Sequence, residues 1–209
     1  MFWKSLAVIS ILALIGLVYS FLSFRTEINQ VYLAPDPYVY TSSENFDVTI
    51  VEFSDYGCLP SKKMHALIKS AAEKDGKVRY IPRPILVSKD PVAREVFLLL
   101  YASAHQGALP LIHDKLYELW PVKDINVVKD YARSIGLDIK KLESDMRLPI
   151  TARAVDLNRE YFDKLQFKVT PTLMLASEYV FTRAIYTLSK EGLTTEMLLE
   201  KFHEARQWF

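Results

Sequence analysis

The chain has 209 residues, 50% hydrophobic and 12% aromatic, which is enough apolar material for one packed domain with an appendage and excludes a disordered polymer. Its 26 basic and 25 acidic side chains leave a formal net charge of +1 with no long block of one sign, so no nucleic-acid partner and no polybasic lipid patch is expected. One cysteine, four scattered histidines and six glycines, with no CxxC, HExxH, GxGxxG or GxxxxGK[ST], argue against an internal disulfide, a metal site and a nucleotide site, and no cofactor is expected.

Residues 6–24, LAVISILALIGLVYSFLSF, carry no charge and lie between Lys4 and Arg25. A helix of that length, at about 1.5 Å per residue, reaches across a hydrocarbon core of about 30 Å. A secretory signal usually has a shorter apolar region ending in a small-residue cleavage site. Val18-Tyr19-Ser20 is a poor one, and the apolar run continues through it. Residues 1–25 therefore read as an uncleaved membrane anchor, with a cleaved signal as the alternative. Positive charge ahead of the span favours an inside amino terminus and places the bulk of the chain outside the cytoplasm. That is the topology of a single-pass membrane protein with its soluble domain outside the cytoplasm.

Residues 26–46 are polar and contain Pro35 and Pro37; they read as a linker with a short strand at 31–33. The domain proper spans 47–209. VTIVEF at 48–53 is a β-branched and aromatic run of the length of a buried strand. A helix follows from about Cys58 to Lys74, with Met64, Leu67, Ile68 and Ala71 at helical spacing, and Asp75-Gly76 stops it. VRYIPRPILV at 78–87 is the next strand, and Pro82 and Pro84 suit an edge position or a bulge near its end. Residues 88–166 read as helical. Pro91 opens one helix (Val92, Val96, Leu99, Leu100), and Leu111, Ile112, Leu116, Leu119 and Trp120 mark a second. Val127, Val128, Tyr131 and Ile135 mark a third, and 152–165 a fourth. Strands return at 172–176 and 179–186, joined as a hairpin at Ser177-Glu178, and a last helix follows Thr194-Thr195-Glu196. Trp208-Phe209 either folds back on the domain or meets a membrane surface. Strand, helix, strand, helical block, two strands, helix is the order of an α/β fold: a mixed sheet flanked by helices, with a helical insertion.

The chemistry concentrates at Cys58-Leu59-Pro60-Ser61-Lys62-Lys63. The cysteine follows a strand and a short turn and opens a helix. Unpaired N–H groups and the dipole at such a place favour an anion, so a thiolate is stabilised there. Lys62, one turn on, adds positive charge. An inert buried cysteine is the alternative on this evidence alone.

The layout resembles the thioredoxin superfamily and, in detail, the DsbA-like thiol-disulfide oxidoreductases. The resemblance rests on the strand and turn at 51–57 leading into Cys58, on Cys58-Leu59-Pro60-Ser61 in the place of Cys-x-x-Cys, on Val169-Thr170-Pro171-Thr172 in the place of the cis-proline loop, and on the helical insertion between them. It covers about residues 45–207 and implies a thioredoxin fold. It implies Cys58 as attacking thiolate, Pro171 as a cis proline that turns Thr170 towards Cys58, and Glu52 as the buried acid beneath the site that aids proton transfer. A solvent-facing strand carboxylate is the plainer reading of Glu52.

Three departures from the family pattern bear on activity. Ser61 stands where the resolving cysteine belongs, so the two-cysteine oxidation cycle is excluded, while its hydroxyl can hydrogen-bond the thiolate or serve as an ordinary first-turn serine. Leu59-Pro60 is nearer the thioredoxin dipeptide than the Pro-His of strong oxidants. Val169 replaces the loop glycine and narrows its backbone freedom. His65, two turns along the helix, reads as a surface histidine, and Tyr101, Tyr117 and Trp120 as core. What the resemblance leaves is monothiol exchange or isomerisation on exported proteins through mixed disulfides, or else a non-catalytic binding, chaperone or assembly module of an envelope complex. The oligomeric state is not specified.

Overall fold

The computed structural model describes residues 2–34, 38–41, 45–177, 184–187 and 193–207. The described residues form one four-stranded sheet and eight α-helices. In chain order the elements are α1 (Phe2–Tyr32), β1 (Val48–Ser54), α2 (Leu59–Asp75), β2 (Val78–Pro84), α3 (Pro91–Ser103), α4 (Leu109–Leu119), α5 (Ile125–Ser134), α6 (Ile139–Asp145), α7 (Pro149–Lys164), β3 (Thr172–Ser177), β4 (Ala184–Thr187) and α8 (Thr195–Arg206). A single 3₁₀ turn, Ala104–Gln106, follows α3.

The sheet order is β2-β1-β3-β4. β1 runs parallel to β2 through the α2 crossover and antiparallel to β3, and β4 is antiparallel to β3. β2 is the edge strand that Pro82 and Pro84 suggested. Its outer side is partly taken by residues ahead of the domain: Tyr40 N–H donates to the Tyr80 carbonyl at 2.8 Å, and Tyr80 N–H to that of Thr41 at 3.0 Å.

The buried β1 sends alternate side chains to two cores. Val48 and Ile50 pack with Met64, Ile68, Leu198 and Phe202 under α2 and α8. Val51 and Phe53 face Phe97, Leu100, Ile112 and Phe162 of the helical block. Glu52 has the parity of Val48 and Ile50, so the pleat aims it beneath α2. Arg206 of α8 ties the first layer together, reaching Asp47 before β1 at 2.7 Å and Asp75 at the end of α2 at 2.6 Å.

Several sequence expectations change. Residues 26–34 and 38–41, expected as part of a linker, pack on the domain, and 31–33 is not a strand: α1 is continuous to Tyr32, and Ile28, Val31, Tyr32, Tyr38 and Val39 are buried in the domain core. The last carbonyls of a helix need donors, and here β2 supplies them. Arg83 donates from Nε and Nη2 to the Val31 carbonyl at 3.1 and 2.7 Å, and Arg79 donates to those of Tyr32 and Ala34 at 3.2 and 2.5 Å. β2 ends at Pro84 rather than 87, and a short helix, α6, stands where none was expected. Leu111 and Val127, which marked the second and third helices, lie in those helices but are exposed. The expected hairpin turn at Ser177-Glu178 falls partly, and Trp208-Phe209 wholly, outside the described residues.

Residues 9–23 of α1 are uniformly exposed, with Ile15, Leu17 and Tyr19 at 58%, 69% and 74%. Among the described residues, one helix segment, Ile9–Tyr32, is long and apolar enough to cross a membrane.

Candidate functional site

Asp55 and Gly57 shape the turn that delivers Cys58. The Asp55 carboxylate accepts from Gly57 N–H at 2.9 Å, and the Asp55 carbonyl accepts from Cys58 N–H at 3.0 Å. Gly57 lies against the Trp120 indole: a Cβ at this position would meet Nε1 at 3.2 Å. Cys58 is the N-cap of α2, with extended backbone (φ −98°, ψ 112°), and Pro60 sits in the first turn, where its missing N–H costs nothing. The thiol is half-buried and points to the Thr170 carbonyl at 3.5 Å. Thr170-Pro171 is a cis peptide bond, as the resemblance implied. A groove of about 410 Å³ runs beside it, lined by Asp55, Val87, Phe162, Phe167, Lys168 and Thr170.

The five residues singled out from the sequence thus fall into two groups. Cys58 and Thr170 meet as partly buried residues, and the adjoining Pro171 is buried. Ser61 and Glu52 are fully buried beneath them. The Ser61 hydroxyl accepts from Asp55 N–H at 3.2 Å and so braces the turn ahead of Cys58. Glu52 does not face solvent: its Oε2 accepts from the Tyr80 hydroxyl, while Oε1 has no hydrogen-bond partner. Burial pushes the Glu52 carboxyl up to about 8, against the opposing effect of the Tyr80 hydrogen bond.

Around Glu52 lies a polar network that the sequence did not reveal. His65 is 6% exposed, not a surface residue. It follows Ser61 by one turn on the same stripe of α2 as Met64 and Ile68, which all face the sheet. Its Nδ1 is 2.9 Å from the Tyr80 hydroxyl and its Nε2 is 2.7 Å from Asp114. Asp114 also accepts from Lys69 at 2.7 Å and from Tyr40 at 2.8 Å. Burial alone would raise the Asp114 carboxyl; the hydrogen bonds from His65, Lys69 and Tyr40 outweigh it and hold Asp114 well below the usual carboxylate range. His113, the preceding residue of α4, is fully buried with Nδ1 2.6 Å from the Tyr56 hydroxyl. Burial, reinforced by the nearby His65, keeps it well below its ordinary value and neutral. Tyr56 and Tyr117 pack edge-on against this ring. The helical insertion thus supplies half of the layer under Cys58. Its residues follow Glu52 by more than fifty positions, a separation at which pattern reading carries no signal; Tyr117, read as core, is buried there as expected.

Comparison with known proteins agrees with this architecture. The family model described as thioredoxin matches residues 39–190. A comparison with curated proteins found no match. Among solved structures, the chain is similar to a thioredoxin-like oxidoreductase from Silicibacter pomeroyi (24% identity over 85% of this chain and 100% of that one, TM-score 0.66). It is also similar to the thiol-disulfide exchange protein alpha-DsbA2 from Wolbachia pipientis (19% identity over 86% and 94%, TM-score 0.67). The catalytic domain of Proteus mirabilis ScsC has the same fold (16% identity over 87% and 96%, TM-score 0.66). A family match over most of the chain, a cysteine capping the first helix of the sheet and a cis proline opposite it lead to one assignment: the chain belongs to the thioredoxin family, with the fold of its DsbA-like branch.

Proposed function

We propose that the protein is a membrane-anchored monothiol disulfide-exchange protein that acts on exported proteins through Cys58. The observation that carries this reading is the half-buried Cys58 thiol, at the amino end of α2 and 3.5 Å from the Thr170 carbonyl. The thiolate attacks one sulfur of a substrate disulfide; a Cys58–substrate S–S bond forms, the substrate S–S bond breaks, and the second substrate sulfur leaves as a thiolate that takes up a proton. Because Ser61 carries no thiol, a substrate cysteine or a small thiol must resolve the adduct, restoring Cys58 with no net change in its oxidation state. That is exchange or isomerisation. The groove beside Thr170, with apolar Val87 and Phe167 and charged Asp55 and Lys168, suits an extended segment of mixed character.

The anchor follows from α1. A contiguous apolar helical surface exposed over residues 9–23 exceeds what water tolerates without a cover, and a bilayer supplies one. With Lys4 on the inner side, the domain lies in the periplasm of the cell envelope.

The test is refolding of a substrate with scrambled disulfides in the presence of a small thiol. The wild-type chain accelerates recovery of the native pairing, and Cys58→Ala does not. Equal rates with the two proteins would remove the exchange reading and favour a thiol-independent binding module.

A further inference from the structure

We propose that Glu52, His65 and His113 form a buried binding site for a single divalent transition-metal ion of zinc's coordination chemistry. One ligand atom from each residue lies within 4.8 Å of the others, and all three residues are buried. Two of these three groups carry buried atoms that no hydrogen bond satisfies: Oε1 of Glu52 and Nε2 of His113. A buried polar atom without a partner is costly, and two in one cluster of potential ligands point to a missing partner. His65 supplies the third atom. Asp114 accepts from its Nε2 at 2.7 Å, so the hydrogen sits on that nitrogen and the Nδ1 lone pair is turned inward. This is the carboxylate-histidine pairing that orients metal-binding imidazoles elsewhere. The two imidazole rings stand edge-on, with centroids 4.7 Å apart and planes at 88°, which lets both nitrogens aim at one point.

With Glu52 ionised, as a metal-bound carboxylate is, the hydrogens available fall short of the acceptors. Nδ1 of His65 and Oε2 of Glu52 share the single hydrogen of the Tyr80 hydroxyl. A cation draws on the lone pairs that remain. Two imidazole nitrogens and a carboxylate oxygen make a donor set that zinc accepts, with a water completing the tetrahedron. Its bonds of about 2.0–2.2 Å place ligand atoms roughly 3.4 Å apart, so binding draws the three together by about 1.5 Å or less. Asp114, with a side chain 30% exposed, connects the cluster to solvent and gives the ion a route in.

The experiment titrates the full chain, purified in detergent and stripped with a chelator, with Zn²⁺ against a chromogenic competitor. One equivalent binds to the wild type and equally to Cys58→Ala, which separates this site from the thiol chemistry. Glu52→Gln and His113→Gln each weaken binding at least about tenfold while far-UV circular dichroism is unchanged. Co²⁺ in place of Zn²⁺ in the wild type gives the visible bands of a low-coordinate nitrogen and oxygen site with no thiolate charge-transfer band, a readout that holds even where a variant fails to fold. Absence of binding, loss of binding in Cys58→Ala, indifference to both glutamine variants, or a thiolate band each overturns the proposal.

Discussion

The Arg83 guanidinium, 6% exposed, holds the Val31 carbonyl through two of its nitrogens and the Asn158 amide oxygen through the third at 3.1 Å. A strand of the domain thereby caps the carboxyl end of the amino-terminal helix, whose partial negative charge offsets part of the cost of burying the arginine.

Arg83→Ala leaves the Val31 carbonyl and Asn158 without these donors and opens a cavity. A loss of about 2–4 kcal/mol is expected. At about 2–4 °C per kcal/mol for a chain of this size, thermal unfolding shifts down by roughly 5–15 °C. Arg79→Ala, at a half-buried position, costs less. An unchanged midpoint for Arg83→Ala would show that α1 is not fastened here.

The same contact separates anchoring from folding. Deleting residues 2–25 is expected to release the chain from membranes resistant to alkaline carbonate, yet to leave the domain folded, because its packed part of α1 begins at Ile28. Deleting residues 2–34 removes Ile28, Val31 and Tyr32 from the core and lowers the unfolding temperature. Carbonate extraction and thermal unfolding of both truncations check this. Full-length material that is soluble without detergent would contradict the anchor.

Glu52 sets a pH dependence. Its folded carboxyl is raised to about 8, above the ordinary value of 4.5, so between those limits the folded state holds a proton that the unfolded state has released. Stability from this group therefore falls as pH rises across that window, by at most about 1.4 kcal/mol per pH unit, and is flat below and above it. Asp114 works in the opposite sense: with its carboxyl held low, its contribution is present at neutral pH and is lost as pH falls through the acid range. Glu52→Gln removes the first dependence. Unfolding temperature against pH for wild type and Glu52→Gln is expected to diverge from about pH 4.5 to 8 in favour of the variant; parallel curves would contradict a buried, proton-holding Glu52.

Much of this fold is legible in the sequence because its signals are local. The apolar run at 48–53, the helix stop at Asp75-Gly76 and the Thr-Pro ahead of β3 each sit where expected. The place of Glu52 beneath the site comes from the resemblance, since its own residues leave a solvent-facing carboxylate open. His65 reads as a surface residue because a lone histidine beside lysines looks solvated; what buries it is Asp114 and Tyr80, which come from other elements. The docked end of α1 is hidden for the same reason. Nothing in Val31 or Tyr32 announces that Arg79 and Arg83, some fifty residues later, will cap them. Residues 26–46 look polar, and Tyr38 and Val39 are buried only because the helical block covers them.

Ser61→Cys tests how far the site departs from a dithiol enzyme. Ser61 is fully buried one turn below Cys58, and cysteine is close to it in size. On oxidation the variant is expected to form a disulfide between Cys58 and the new thiol at position 61, read as loss of both free thiols by mass spectrometry. It is further expected to gain net oxidation of reduced substrates by the two-cysteine cycle that Ser61 precludes. Two persistent free thiols under oxidising conditions would show that the buried position cannot serve a resolving cysteine.

Reactivity of Cys58 in its own compartment decides whether the protein works by thiol exchange. The direct measurement is acid quenching of cells, blocking of free thiols, and recovery of the chain under non-reducing conditions, with Cys58→Ala alongside. The expected result is a set of higher-mass species, abolished by reductant and absent in Cys58→Ala, that contain cysteine-bearing exported proteins. Cys58 recovered wholly as a free thiol with no adduct, in cells whose exported proteins carry disulfides, would contradict it.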